Sequence, residues 1–370
     1  CARAGAAAAA ASPAVLETTN SRREILSDMT RSYGSAFAAG LGDCRLRSLL
    51  RAISIDTIRE ASRHVYNAAM RTPVVALGPL MPGGPQVFLK LETLQPIGSF
   101  KIRGAYNAVR KLTPDQLAHG VWTVSAGNAA QGVALAAKKA GASCSVMVMD
   151  TAPETKLRNI ERLGATIVTA TYDECWRTVE DHGSPRMAGH FVHPFDDDDF
   201  ISGNGTTGVE ILEDVPDADA VIAPIGGGGL LTGIGVAFRA LRPQARVYAA
   251  EPATAAPLER SFRAGKASRF PEWTSTFVDG AGGKSVLDTM WPLLREYVHE
   301  SIVVSLEDAA AAMKLVAERA RVIAEGAAAC AVAAAISPAI AERGHKKVVA
   351  VVSGGNVDLK KFAQLVGACS

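Results

Sequence analysis

From about Ile55 onward the chain alternates short β-branched runs with longer helical patterns, and this alternation restricts the fold more than any other feature. Candidate strands are Val87–Leu91, Val121–Val124, Ser145–Met149, Thr166–Thr169, Ala220–Ile225, Arg246–Ala250, Ser301–Val304 and Val348–Val352. Amphipathic or alanine-rich stretches lie between them, such as Ala129–Ala140 and Thr155–Leu163. Strands separated by helical crossovers run parallel, so the pattern predicts an α/β fold of twisted, mostly parallel sheets flanked by helices. Gly141-Ala142 and Gly164-Ala165 each stand just before a strand, where glycine supplies the left-handed turn that stops a helix. No Pro/Ser linker marks a cut between independent domains, which favours two lobes interleaved in sequence.

Composition removes several functions. The formal charge of the 370 residues is only +2, without a basic tract interleaved with aromatics, so nucleic acid is a poor partner. No run of eighteen apolar residues occurs, so no membrane span is expected. The most apolar region, Gly326–Ile336, is short and alanine-rich and suits a buried helix. The six cysteines form no CxxC pair and read as free thiols in a reducing compartment. One HxxH, His190 and His193, has no cysteine company and reads as ordinary loop histidines. The acid run Asp196–Asp199 reads as a solvated loop or hinge. Residues 1–45 differ from the rest: Ala6–Ala11 is low-complexity, and Glu17, Glu24 and Asp28 weigh against a targeting peptide. A processed leader, an expression remnant and a loosely packed extension all fit that segment. A cytoplasmic location is expected, with organellar import left open.

Small residues cluster after the strands. Gly226-Gly227-Gly228-Gly229 follows the strand Ala220–Ile225 and precedes a helix at Leu230–Leu241. Consecutive glycines let backbone N–H groups converge on a phosphate, and the helix start adds its positive dipole end. Ser125-Ala126-Gly127-Asn128 and Ser353-Gly354-Gly355-Asn356 follow two other strands. Gly203–Gly208 fits GxGxxG, but the acid run precedes it instead of an apolar strand. A second decoy is the glycine turn followed by Glu251, the layout of a dinucleotide site, which lacks the fingerprint spacing. Lys101 sits on the turn Gly98-Ser99-Phe100 between a strand and a helix. A lysine amine is a nucleophile only when unprotonated, which desolvation or nearby cations promote.

Taken jointly, Gly98–Ala105, Ser125–Asn128, the tetraglycine and Ser353-Gly354-Gly355-Asn356-Val357-Asp358 resemble the threonine dehydratase and serine racemase family. These are fold-type II pyridoxal-phosphate enzymes with a tryptophan synthase β-like fold, and the likeness runs in order from about Ile55 to Leu365. It implies that Lys101 holds pyridoxal phosphate as a Schiff base and that Gly226, Gly227, Gly228 and Gly229 bind the phosphate. By the same resemblance Phe100 packs on the cofactor ring, Asn128 reaches the phenolic oxygen, Ser353 meets the pyridine nitrogen and Glu325 lies near the ring. Ser125, Ala126, Gly127, Asn128 and Ala129 would receive the substrate carboxylate on backbone donors at a helix start. The resemblance further implies a homodimer and a small-molecule amino-acid substrate. The expected division is a large cofactor lobe from 46–119 with 198–370, and a small substrate lobe over 120–197.

A hydroxyl at the pyridine nitrogen supplies no negative charge to keep the ring protonated. Carbanion character should then be discharged by losing a β-leaving group, which favours elimination over transamination. The chain also departs from the family. Ala126 stands where its racemases carry a serine, and alanine cannot move a proton. Ala129 stands where its dehydratases usually carry histidine, which bears on substrate choice. Glu251 matches one ligand of the divalent-cation site of some relatives, but Pro257 replaces the second carboxylate, a thin set for a mono- or divalent cation. No regulatory extension is expected after the Ser353 motif. The resulting expectation is a pyridoxal-phosphate-dependent lyase, with Lys101 as general base, acting on L-threonine or L-serine to give a 2-oxo acid and ammonia. The alternatives are a dehydratase of a bulkier hydroxyamino acid, a β-replacement synthase or a racemase of the same fold. A non-catalytic binding protein would have no use for Lys101, Asn128 and Ser353 together.

Overall fold

Five consecutive apolar residues, Ala220–Pro224, form a strand with every residue buried, as a parallel strand covered on both faces requires. It lies inside the larger of two sheets in the computed structural model, which describes residues 51–80 and 82–369. The strands are β1 (Val74–Gly78), β2 (Gln86–Leu91), β3 (Val121–Val124), β4 (Cys144–Met149), β5 (Thr166–Ala170), β6 (His190–Phe191), β7 (Ala220–Pro224), β8 (Arg246–Pro252), β9 (Glu300–Val304) and β10 (Lys347–Val352). One sheet has the order β1-β2-β10-β7-β8-β9 and the other the order β5-β4-β3-β6. All pairings are parallel except β1 with β2. The α/β class expected from the sequence is the class observed. The four-stranded sheet draws its strands from residues 121–191, and the six-stranded sheet draws from both sides of that stretch.

The eight expected strands are all present, each within two residues of its expected ends. Two strands stand outside the expected set: β1, a half-buried edge strand whose apolar run Val74–Leu77 is enclosed by Pro73 and Pro79, and the two-residue β6. The helix Asn128–Ala140 ends at Gly141 with φ +70°, and Gly164 at φ +92° follows the helix Glu154–Arg162. The helix Gly326–Ala335 is buried at all ten residues and packs on β7, β8 and β10. No helix among the described residues is long and apolar enough to cross a membrane. The alanine-rich segment 1–45 lies outside the described residues.

One expectation needs correction. Asp196–Asp199 is no solvated loop. Asp196 is buried and accepts hydrogen bonds from Arg51 and Thr289, and Asp197 caps the helix Asp198–Asp214 by accepting from the Phe200 N–H at 2.7 Å. Gly203–Gly208 lies in the middle of that helix. Its glycines serve close packing: a Cβ on Gly203 would stand 2.4 Å from the Arg103 carbonyl oxygen, and one on Gly205 2.5 Å from Ile58 Cδ1. Three neighbouring helices, Ile55–Ser62, Lys101–Arg110 and Gly229–Leu241, pack against this one.

Candidate active site

In the parallel pair β2 and β10, Leu91 lies opposite Val352, so the segments that follow leave from the same edge of the sheet. β7 runs parallel beside β10, and its glycine loop leaves that edge as well. This is where open α/β sheets place ligands.

The turn before Lys101 is fastened to the Ser353 loop. The Phe100 N–H donates to the Ser353 carbonyl at 3.0 Å and the Gly355 N–H to the Gly98 carbonyl at 2.9 Å. Lys101 is the first residue of the helix Lys101–Arg110, and two residues on, the fully buried Arg103 anchors that helix. Arg103 Nε donates to Glu92 Oε2 at 2.7 Å and Nη1 to Glu210 Oε1 at 2.6 Å, while Lys90 Nζ donates to Glu210 Oε2 at 2.5 Å. Each charge in this network has a counter-charge within hydrogen-bonding distance, the condition under which buried ions are tolerated.

Lys101 Nζ donates to the Pro194 carbonyl at 2.6 Å and lies 5.2 Å and 5.3 Å from the ring centroids of Phe100 and Phe200. The residue keeps some exposed surface, yet desolvation lowers its amine to about 8, with the Glu325 charge opposing the shift. Glu325 is buried, and burial raises its carboxyl to about 7 against a hydrogen bond from Asn128. Asn128 Nδ2 donates to Glu325 Oε1 at 2.9 Å, and Asn128 Oδ1 accepts from Asn356 Nδ2 at 2.8 Å. Ser353 is buried at the end of β10.

Gly228, at φ +94°, starts the helix Gly229–Leu241, and no side chain caps it. The N–H groups of its first turn are therefore turned toward whatever binds there. Glycine is required on steric grounds: a Cβ on Gly227 would stand 2.1 Å from the Phe195 ring, and one on Gly229 2.6 Å from the Phe195 carbonyl oxygen. Phe195 follows Pro194, so one short segment touches both the lysine amine and the glycine loop. The helix Asn128–Ala140 likewise starts at Gly127 without a side-chain cap, and the Gly127 N–H donates to Ser125 Oγ at 3.1 Å.

Ser125, Ala126, Gly226, Gly227, Phe195 and Asp279 line one cavity of about 510 Å³, which extends to Tyr172, Trp176 and Trp273. Lys101, Asn128, Glu325 and Ser353 are not among the residues lining this cavity, nor is Ala129, which is buried on its helix. Pro194, Phe195 and Phe200 had no signal in the sequence, because none falls in a glycine-rich or hydroxyl-rich turn, whereas Asp279 opens the glycine-rich turn Gly280-Ala281-Gly282-Gly283, a signal that could have found it.

Glu251 is placed unlike a cation ligand. Its Oε1 accepts from the Leu258 N–H at 2.8 Å, and its Oε2 from the Glu259 N–H at 2.9 Å and Ser301 Oγ at 2.6 Å. Donors surround both oxygens at the start of the helix Pro257–Ala264, an anion's environment and the reverse of the oxygen-rich shell a hard cation takes.

The sequence profile of the family described as pyridoxal-phosphate dependent enzyme matches residues 65–354. The L-threonine ammonia-lyase of Thermotoga maritima is 37% identical over 322 residues, covering 85% of this chain and 78% of that protein. A serine racemase of Oryza sativa is 38% identical over 315 residues, covering 83% of this chain and 92% of that protein. Among solved structures, maize serine racemase aligns with a TM-score of 0.77 at 36% identity, over 85% of this chain and 96% of that one.

Proposed function

The chain belongs to the pyridoxal-phosphate dependent enzymes, in the fold-type II group of threonine dehydratases and serine racemases, and on that footing we propose that it is an ammonia-lyase. It would convert a β-hydroxy amino acid, L-threonine or L-serine first, to a 2-oxo acid and ammonia by β-elimination. The observation that carries this reading is the desolvated Lys101 amine, lowered to about 8 and held at the sheet edge that also bears the glycine loop.

The residues present fit the cofactor. Gly226–Gly229 would hold its phosphate, since the Phe195 ring fills the space of a Cβ on Gly227 while no side chain caps the helix start by a hydrogen bond. Lys101 would carry its aldehyde carbon, the Ser353 hydroxyl would meet the ring nitrogen, and Asn128 would reach the phenolic oxygen with Glu325 behind it. When bound, the cofactor supplies an electron-accepting ring that stabilises negative charge at the substrate α-carbon.

The chain's own residues do the rest. Backbone donors of the Ser125–Ala129 turn would take the substrate carboxylate at the start of the helix Asn128–Ala140. Lys101, once freed, would take the α-proton on Nζ; an amine at about 8 has a far larger neutral fraction near neutral pH than one at 10.5. The α-proton and the β-hydroxyl leave as water, and the resulting enamine hydrolyses to the 2-oxo acid and ammonia.

A second reading, serine racemisation, draws on the likeness to the maize and Oryza sativa racemases. Against it stands the Ala126 methyl at the cavity wall, which has no proton to give.

The test is the visible absorption of the purified chain before and after L-threonine, with 2-oxobutanoate measured alongside. A lysine-bound cofactor band that shifts as 2-oxobutanoate accumulates is expected, and Lys101→Ala should cut turnover by on the order of 10³-fold. A band indifferent to L-threonine and L-serine would overturn the substrate assignment and direct attention to bulkier hydroxy amino acids. D-serine formed from L-serine faster than pyruvate would favour the racemase.

A further inference from the structure

The stretch Phe191–Asp196 joins β6 to the helix Asp198–Asp214 and runs past the site. Its alternate side chains form an aromatic ladder: Trp122 to Phe191 at 4.2 Å between ring centroids, Phe191 to His193 at 5.6 Å, His193 to Phe195 at 4.7 Å. His182 stacks on His193 at 4.5 Å. His182, His193 and Asp196 bring ligand atoms within 4.8 Å of one another, the spacing of a metal triad.

Their hydrogen bonds argue otherwise. His193 Nδ1 accepts from the Asp196 N–H at 2.7 Å and the Phe195 N–H at 3.3 Å, and its Nε2 faces the Val179 carbonyl at 3.1 Å. Asp196 Oδ2 meets His182 Nε2 at 2.9 Å and accepts from Thr289 Oγ1 at 2.6 Å, while Oδ1 accepts from Arg51 at 2.6 Å. A metal ion would have to displace these partners beside a guanidinium. With two N–H groups aimed at Nδ1, the proton sits on Nε2 and the imidazole is neutral, in keeping with burial pushing its pKa down to about 3.

The consequence reaches the lysine through one peptide unit. The Phe195 N–H and the Pro194 C=O belong to the same peptide, and no peptide among the described residues is cis. In a trans peptide these two groups point in opposite directions. Holding the N–H on His193 therefore aims the carbonyl the other way, where it meets Lys101 Nζ at 2.6 Å.

We propose that His193 is a positioning residue for Lys101: by accepting the Phe195 N–H it fixes the Pro194–Phe195 peptide so that the Pro194 carbonyl receives the lysine amine whenever that amine is free. A neutral amine donating one N–H to this carbonyl keeps its lone pair available for a proton. An ammonium is bound there more strongly, so the carbonyl raises the lysine pKa and partly offsets the desolvation. The kinetic consequence rests on the reading of Lys101 as general base; the titration consequence does not.

The experiment compares His193→Leu, which removes the acceptor, with His193→Asn, whose Oδ1 takes the place of Nδ1. In the full chain freed of cofactor, acylation of Lys101 by acetic anhydride is followed against pH by peptide mass spectrometry. His193→Leu should lower the Lys101 pKa by about half a unit or more, and His193→Asn should restore it. In the loaded enzyme His193→Leu should lower kcat ~10-fold with KM nearly unchanged, again recovered by His193→Asn. An unchanged Lys101 pKa in His193→Leu, or equal losses in both variants, would overturn the proposal in favour of ring packing. If His193→Leu does not fold, His193→Gln displaces the acceptor by one bond. A fall in the Lys101 pKa then supports the assignment, and none overturns it. Should the wild-type chain catalyse no elimination, the proposed function fails while the labelling result still decides the role of His193.

Discussion

Glu251 and Glu325 are both buried glutamates beside the start of a helix, and burial raises each carboxyl to about 7. Their partners differ. Glu251 spends both oxygens on two backbone N–H groups and the Ser301 hydroxyl, and so fastens the helix Pro257–Ala264 to β9. Glu325 accepts from the side chain of Asn128, which is bonded in turn to Asn356, and its charge acts on Lys101. The same perturbation marks a structural clamp in one place and a member of the candidate site in the other. A raised carboxyl reports burial; the identity of its hydrogen-bond partners reports what the burial is for.

The contrast can be broken by substitution. The largest effect on stability is expected for Glu251→Ala, which strands three donors, two of them buried, and should cost about 3 kcal/mol in urea unfolding. The folded fraction should keep kcat within about twofold; a collapse of activity with stability intact would erase the distinction between the two glutamates. Glu325→Gln should do the opposite. Its amide oxygen can still accept from Asn128, so stability should change by less than about 1 kcal/mol, while turnover falls on the order of 10-fold. The smallest effect is on pH dependence. Both carboxyls hold their protons more tightly in the fold than in the open chain, where they titrate near 4.5. Their contribution to stability is full below about pH 4.5 and is lost as pH rises through about 7. Chemical denaturation across that window should show the decline in the wild type, and Glu325→Gln should flatten its own share.

The residues that could be read in advance are those whose local backbone dictates their type. Gly228 at φ +94°, the uncapped helix starts after β3 and β7, and Lys101 on a glycine turn all belong to strand–loop–helix junctions visible in the chain. Strands were legible where an apolar or β-branched run stands between turn signals; β6 is too short to show one, and the run of β1 is hemmed in by Pro73 and Pro79. Asp196 misled because its partners are remote: Arg51 is 145 positions away, and Thr289 lies 93 positions on the other side. Gly203–Gly208 fits a phosphate-loop spacing that the missing strand before it already excludes, and its actual use depends on remote neighbours, since a glycine that admits a neighbouring helix looks like a glycine that admits a phosphate until the neighbour is known.

The sequence by itself determined the order of strands and helices, the loops at the sheet edge and the lysine they surround, because periodicity, turn chemistry and glycine conformation depend on neighbours along the chain. Only the tertiary structure decided that the Lys101 amine is desolvated, that Asn128 meets Glu325, that Glu251 is a clamp and that His193 faces the peptide holding the lysine. Desolvation and hydrogen bonding are set by groups brought together from distant positions, and no local pattern carries that information.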